Sequence, residues 1–174
     1  MPDGPRPQGP DYDDDFYAWT QYQAEVLRTL RTRDNRFDRD NLVEEVESLG
    51  RSERDAVRSQ VERILTHFLK LAYSLAGDPR FSWMGSVVEA RGALEDKLSP
   101  TLRRDLEDRW PRLYERARKR TALELQQNGE HAAAAALRRE CPYTIDQILA
   151  EDWYPSSVGA ARAMPTDSQS GGAE

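Results

Sequence analysis

The stretch Asp38-Arg-Asp-Asn-Leu-Val-Glu-Glu-Val-Glu-Ser-Leu-Gly-Arg-Ser-Glu53 opens with short acids and passes into the most regular apolar helical register of the chain. A short carboxylate ahead of the first apolar residue accepts bonds from the free N–H groups of a starting helix, so Asp40 is the expected N-cap, with Asp38 nearly equivalent. Glu44, Glu45 and Glu47 follow within two turns, where the positive end of the helix dipole favours acids. Leu42, Val46 and Leu49 recur at helical spacing and mark the expected inward face, which places Glu45 beside that face and makes it the acid expected to be partly buried.

The register continues without a phase jump through Val57, Val61, Ile64, Leu65, Phe68, Ala72 and Leu75. Gly50 could act as a C-cap, with Ser52 capping a new helix. Kept inside one helix, it costs about 1 kcal/mol relative to Ala. The unbroken register favours one long central helix, bent or straight. Upstream, Asp13, Asp14 and Asp15 offer N-caps for a first helix to about Arg33, whose expected stripe is Phe16, Trp19, Val26, Leu27 and Leu30, with Gln23 on the same side.

Downstream, Gly77-Asp78-Pro79 reads as a turn. Ser82 caps a helix to Leu98 with Met84, Val87, Val88, Leu94 and Leu98 inward. Ser99-Pro100 starts another, since Ser caps and Pro suits the first helical position. Pro111 lies inside it and is expected to kink or divide it. Asn128-Gly129 ends that element, Ala132 to Leu137 makes a short helix with His131 exposed at its start, and Thr144 with Gln147 forms a capping box for a last helix. The expected architecture is all-α: a single bundle of six to seven helices with one long central helix. Residues 1–11, with four Pro and two Gly among the first ten, are expected to be a disordered leader, 12–154 the domain and 155–174 a disordered tail.

The 174 residues carry a net charge of −6, which argues against a general nucleic-acid binder, for which a basic face is expected. No run of about 18 apolar residues suits a membrane span, and the first ten residues lack the regions of a secretory signal, so a cytoplasmic protein without membrane partners is expected. One cysteine, Cys141, and two histidines cannot assemble a Cys/His zinc site. No metal or cofactor is expected. Arg112, Arg116, Arg118, Lys119 and Arg120 form a basic run, read as a solvated helix face or a docking surface for an acidic protein.

Arg91 falls in the middle of the apolar stripe Met84, Val87, Leu94 and Leu98. A guanidinium aimed at a core needs a partner unless it snorkels to water. Glu45 is the first candidate and Glu47 the second, and His67, at the margin of the apolar stripe one turn from Ile64 and Leu71, is expected within the same network. The candidate polar cluster is therefore Glu45, Glu47, His67 and Arg91. No Walker loop, dinucleotide-binding glycine motif or nucleophile elbow is present, and neither histidine has the Glu-x-x-His spacing of di-iron bundles. The sequence gives no molecular function. Its residues suit a non-enzymatic interaction or regulatory module best. The alternative is a metal-assisted hydrolase or nuclease using Glu44, Glu45 or Glu47 with His67 nearby.

Several segments in order carry a likeness: Tyr12 to Gln23, Asn41 to Glu53, His67-Phe-Leu-Lys70, Ser82-Trp83, Arg91, Ser99-Pro-Thr-Leu102 and Cys141-Pro-Tyr-Thr-Ile145. Together they resemble the successive motifs of the bacterial domain-of-unknown-function family twenty-nine, over about Tyr12 to Tyr154. The resemblance implies an all-helical domain and no agreed activity, substrate or cofactor. Leu71 stands where that family commonly has a tryptophan, which leaves any role of an aromatic there without its residue.

Overall fold

The computed structural model describes residues 9–158, and the leader and tail expected from the sequence lie outside them for residues 1–8 and 159–174. Six helices and no strand occur among the described residues: α1 (Phe16–Thr29), α2 (Arg39–Tyr73), α3 (Arg80–Glu95), α4 (Pro100–Gln127), α5 (His131–Ala136) and α6 (Ile145–Leu149). The all-helical expectation holds, and most local start signals act as read; Ser82 does not, since α3 starts at Arg80 after Pro79 with no side-chain cap and Ser82 lies within its first turn. Asp15 caps α1 by accepting from Ala18 N–H, Ser99 caps α4 ahead of Pro100, and Thr144 with Gln147 closes a capping box on α6. Asp38 rather than Asp40 caps α2, accepting from Asn41 N–H and from its side-chain amide at 2.6 Å.

α2 runs unbroken through Gly50 and, at 1.5 Å per residue, spans about 52 Å. α1 lies along its first half. α3 and α4 flank its second half, where Arg63 reaches Glu89, Arg58 reaches Asp105 and Lys70 reaches Glu124. The core sits there: Val57, Val61, Ile64, Leu65, Phe68 and Leu69 of α2 against Val87, Ala90 and Leu94 of α3 and Leu102, Leu106, Leu113 and Tyr114 of α4, closed by Ile145 and Ile148 of α6. α4 is not divided at Pro111.

Two expected stripes are out of phase. The residues of α1 that bury are Thr20 and Ala24, whereas Val26 and Leu30 stay well exposed. On α2 the buried line through this region is Val43, Gly50 and Val57, a seven-residue spacing, and Leu42 and Leu49 are exposed. Leu75 and Val88, expected inward, also face out. For the two stripes of the α1–α2 pair the reason lies at Gly50. A Cβ there would come within 2.2 Å of Thr20 Oγ1 and 3.0 Å of Gln21 Nε2. The two helices therefore approach closely through their smallest residues, and the larger apolar side chains fall to the flank. Gly50 is neither cap nor break; it is the contact point of α1 on α2.

Gly50→Ala tests this. Helix propensity alone would raise stability by about 1 kcal/mol, but the clash with Thr20 makes the expected outcome a loss of about 1 to 3 kcal/mol, as for overpacked cores. Thr20→Ala in the same chain should recover part of that loss in denaturant unfolding. A stabilised Gly50→Ala would mean that the helices do not meet there.

Candidate functional site

Arg91 is 7% exposed, so it does not snorkel to water. It also meets no carboxylate of the Asp38 to Glu53 stretch. Its Nε donates to Ile148 O at 2.8 Å, Nη1 to Glu151 O at 2.7 Å, and Nη2 to Trp153 O at 2.8 Å and Gln147 O at 3.3 Å. These carbonyls close α6 and the turn after it, where a helix leaves acceptors without partners. The guanidinium lies 5.5 Å from the Phe68 ring centroid and 5.0 Å from that of Tyr154. Burial weakens its hold on its proton, and Tyr154, Glu151 and Asp152 oppose that effect. Arg91 is thus a capping residue supplied from another helix, and the expected pairing with Glu45 is corrected.

The rest of the expected cluster is dispersed. Glu45 is exposed. Glu47 is held by Arg28 of α1 and approached by Arg51, and Glu44 pairs with Arg51 at 2.6 Å. His67 follows Glu47 by twenty residues on the same unbroken helix, about 30 Å along its axis. No bond or shared ion can join them. Among the described residues, no group of three His, Cys, Asp or Glu side chains is placed to hold a metal ion.

His67 instead lines a polar cleft of about 220 Å³ between α2 and α4, with Ser59, Glu62, Arg63, Thr66, Lys70, Arg120 and Glu124. Its Nδ1 is buried without a hydrogen-bond partner. Burial, then the charges of Lys70 and Arg63, push its pKa down to about 4 against the pull of Glu124. The Glu124 carboxyl stays below its ordinary range because bonds from Lys70 and Arg120 outweigh its own burial. Burial raises that of Glu62 despite Arg116 and Arg120. Lys70 Nζ sits 5.6 Å from the Trp83 ring centroid, so α3 supplies an aromatic beside the lysine while Leu71 is buried in the core. The cleft holds a neutral imidazole among charges that already have partners.

The basic run of α4 is similarly engaged. Arg116 bonds Glu62, Arg118 and Lys119 bond Glu115, and Arg120 bonds Glu124. Arg112 lines a separate groove with Arg58, Arg109 and Pro111. Asp15, read from the sequence only as a cap, and Glu130, not singled out there, tie elements together. Asp15 accepts from Ser99 Oγ at 2.9 Å as well as capping α1, and those bonds outweigh burial and hold its carboxyl below the usual range. Glu130 accepts from Ser74 Oγ at 2.8 Å and Leu75 N–H at 2.7 Å, stopping α2.

An exposed apolar surface lies on the α1–α2 hairpin. Val26 and Leu30 of α1 are 40% and 42% exposed, and Leu42 and Leu49 of α2 are 42% and 52% exposed. At 100° per residue, Trp19, Val26 and Leu30 lie on one flank of α1, and Leu42 and Leu49 on the corresponding flank of the antiparallel α2. The two flanks form one face. The other flank carries the Arg28–Glu47 and Arg51–Glu44 pairs. At the foot of the apolar face Tyr12 packs edge-on against Phe16 and Trp19, with centroids 5.3 and 4.8 Å away.

The domain of unknown function DUF29 matches residues 12–154. A solved structure described as an alpha-helical protein of unknown function from Rhodospirillum rubrum ATCC 11170 superposes with a TM-score of 0.72 at 26% identity, covering 91% of this chain and 100% of that one. No curated protein matches the chain significantly.

Arg91→Met should lower stability by about 3 kcal/mol or more, since a charged donor to several buried carbonyls is lost. Arg91→Lys should recover little, because an ammonium cannot reproduce the fork. Glu45→Gln should leave the denaturant midpoint unchanged and add to Arg91→Met without coupling.

His67 gives a separate pH signature. It binds a proton more readily unfolded, near 6.5, than folded, near 4, so its contribution to stability is complete above pH 6.5 and is lost as pH falls toward 4. His67→Phe should therefore flatten the unfolding midpoint over that window, by about 1 to 3 kcal/mol after allowance for partial exposure. Parallel profiles for the two chains would show that His67 is not buried neutral.

Proposed function

The chain belongs to the DUF29 family, whose description carries no activity, and from that premise we propose that it is a non-enzymatic helical interaction module working in the cytoplasm. The observation that carries this reading is the apolar face of the α1–α2 hairpin. Val26, Leu30, Leu42 and Leu49 are left outside the core on one flank while the other is closed by ion pairs. Exposed apolar side chains grouped on one rigid face favour a protein partner, whereas single exposed ones need no explanation. A lone, half-buried Cys141 thiol suits a reducing compartment. No helix among the described residues is long and apolar enough to cross a membrane.

Metal-assisted hydrolysis by Glu44, Glu45 or Glu47 with His67 has less support. Some 30 Å of helix separates the acids from the imidazole, and two of the three acids are neutralised by arginine. In the polar cleft at His67, Thr66 is engaged, donating to Glu62 O at 2.8 Å, and Ser59 stands eight residues, about 12 Å of helix rise, before the imidazole.

Leu42→Glu with Leu49→Glu is the test. Both positions are exposed, so the helical circular dichroism and melting should stay as in the parent. Proteins cross-linked to the parent through the hairpin should be absent from the variant. An identical cross-linked set in both chains would overturn the reading.

A further inference from the structure

We propose that the partner of the hairpin face is a second copy of this chain, docked face to face about a two-fold axis that lies in the interface and runs across the helices. This rests on the reading that the face is an interface. What selects a second copy is the distribution of charge at its two ends. Arg31 and Arg33 stand exposed at the tip, just beyond α1, and neither makes an ion pair among the described residues, whereas the acids there are taken, Asp34 by Arg36, Asp40 by Arg39 and Asp38 by capping α2. At the foot, Asp13, Asp14, Glu95 and Asp96 line one shallow pocket with Phe16 and Ser99, and among the described residues none of these four acids is ion-paired either. Glu53 and Lys97 in the same pocket neutralise each other at 2.7 Å.

Tip and foot are thus separated by α1, 14 residues or about 21 Å. The apolar row runs between them. A two-fold axis across the helices sets the tip of each copy on the foot of the other, so the basic and acidic ends meet twice while Val26, Leu30, Leu42 and Leu49 cover their equivalents. The product is a four-helix bundle of two hairpins, an isologous contact in which one self-complementary patch serves both copies. Residues 1–8, Met-Pro-Asp-Gly-Pro-Arg-Pro-Gln, offer a single large apolar side chain and match this row poorly as an alternative cover.

Sedimentation equilibrium of the full chain tests this. The expected mass is twice 19.9 kDa, with dissociation favoured by added salt because the end contacts are ionic. Arg31→Glu/Arg33→Glu and Asp13→Lys/Asp14→Lys should each weaken self-association by about ten-fold or more, because each sets like charges together at both ends. Mixed in equal amounts, the two variants should form a heterodimer, since opposite charges then face each other at both ends. Misfolding cannot mimic that rescue. A monomer throughout the range, a mixture that stays monomeric, or a dimer appearing only after removal of residues 1–8 would overturn the proposal. If the chain is monomeric yet Leu42→Glu/Leu49→Glu abolishes cross-linking to another protein, the face is an interface for a different partner. A dimer that survives Leu42→Glu/Leu49→Glu would refute this proposal, and the reading beneath it falls as well only if the set of other cross-linked proteins is also unchanged.

Discussion

α2 rises about 52 Å, and no other element reaches along more than part of it. Its second half is enclosed by α3, α4 and α6, and there its apolar residues vanish from solvent. Its first half has α1 alone. A single helical neighbour covers only a narrow seam, so a stripe broad enough to face a core cannot be fully buried. The chain meets this constraint by bringing the backbones close: Thr20 and Ala24 sit on the line of Val43 and Gly50, where a Cβ at Gly50 would overlap Thr20 Oγ1. The close approach accounts for which residues bury, and for which larger ones are left on the flank.

The enclosed half is fastened by a different device. α6 has only five residues, too short to stand as an isolated helix. Arg91 gathers carbonyls of its last turn and of the turn beyond, while Phe68 and Tyr154 border the guanidinium. Phe68 comes from α2, Arg91 from α3 and Tyr154 from the segment after α6, so one side chain joins three parts of the chain. The charge is met by oriented dipoles and aromatic faces, and the helix end it caps carries the negative pole that favours a cation.

Sequence reading found what is decided locally. Caps at Asp15, Ser99 and Thr144 depend on residues within four positions, and the structure has them where the spacing puts them. Arg91 was legible as a buried cation needing partners. Those partners were not legible, because backbone carbonyls have no letter in a sequence, whereas Glu45 and Glu47 advertise themselves. The phases of α1 and of the first turns of α2 were also misread. Periodicity ranks residues by size and polarity, and at a close helix crossing the inward positions are the small ones. Gly50 looked like punctuation for the same reason. His67 was correctly seen at the margin of the stripe, but its distance from Glu47 follows from the helix being continuous, which the sequence left open.

The two halves of α2 therefore have different standing. Around His67 the charges on α2 and α4 are mutually paired and the imidazole is held neutral, so that region has little left to offer a ligand without breaking bonds it already makes. On the hairpin the opposite holds. The seam at Gly50 is complete, yet the flank keeps its apolar row, and Asp13, Asp14, Glu95 and Asp96 at the foot and Arg31 and Arg33 at the tip make no ion pair among the described residues. Free energy for association comes from groups still unsatisfied in the isolated chain, and the hairpin sets Val26, Leu30, Leu42 and Leu49 together on one side.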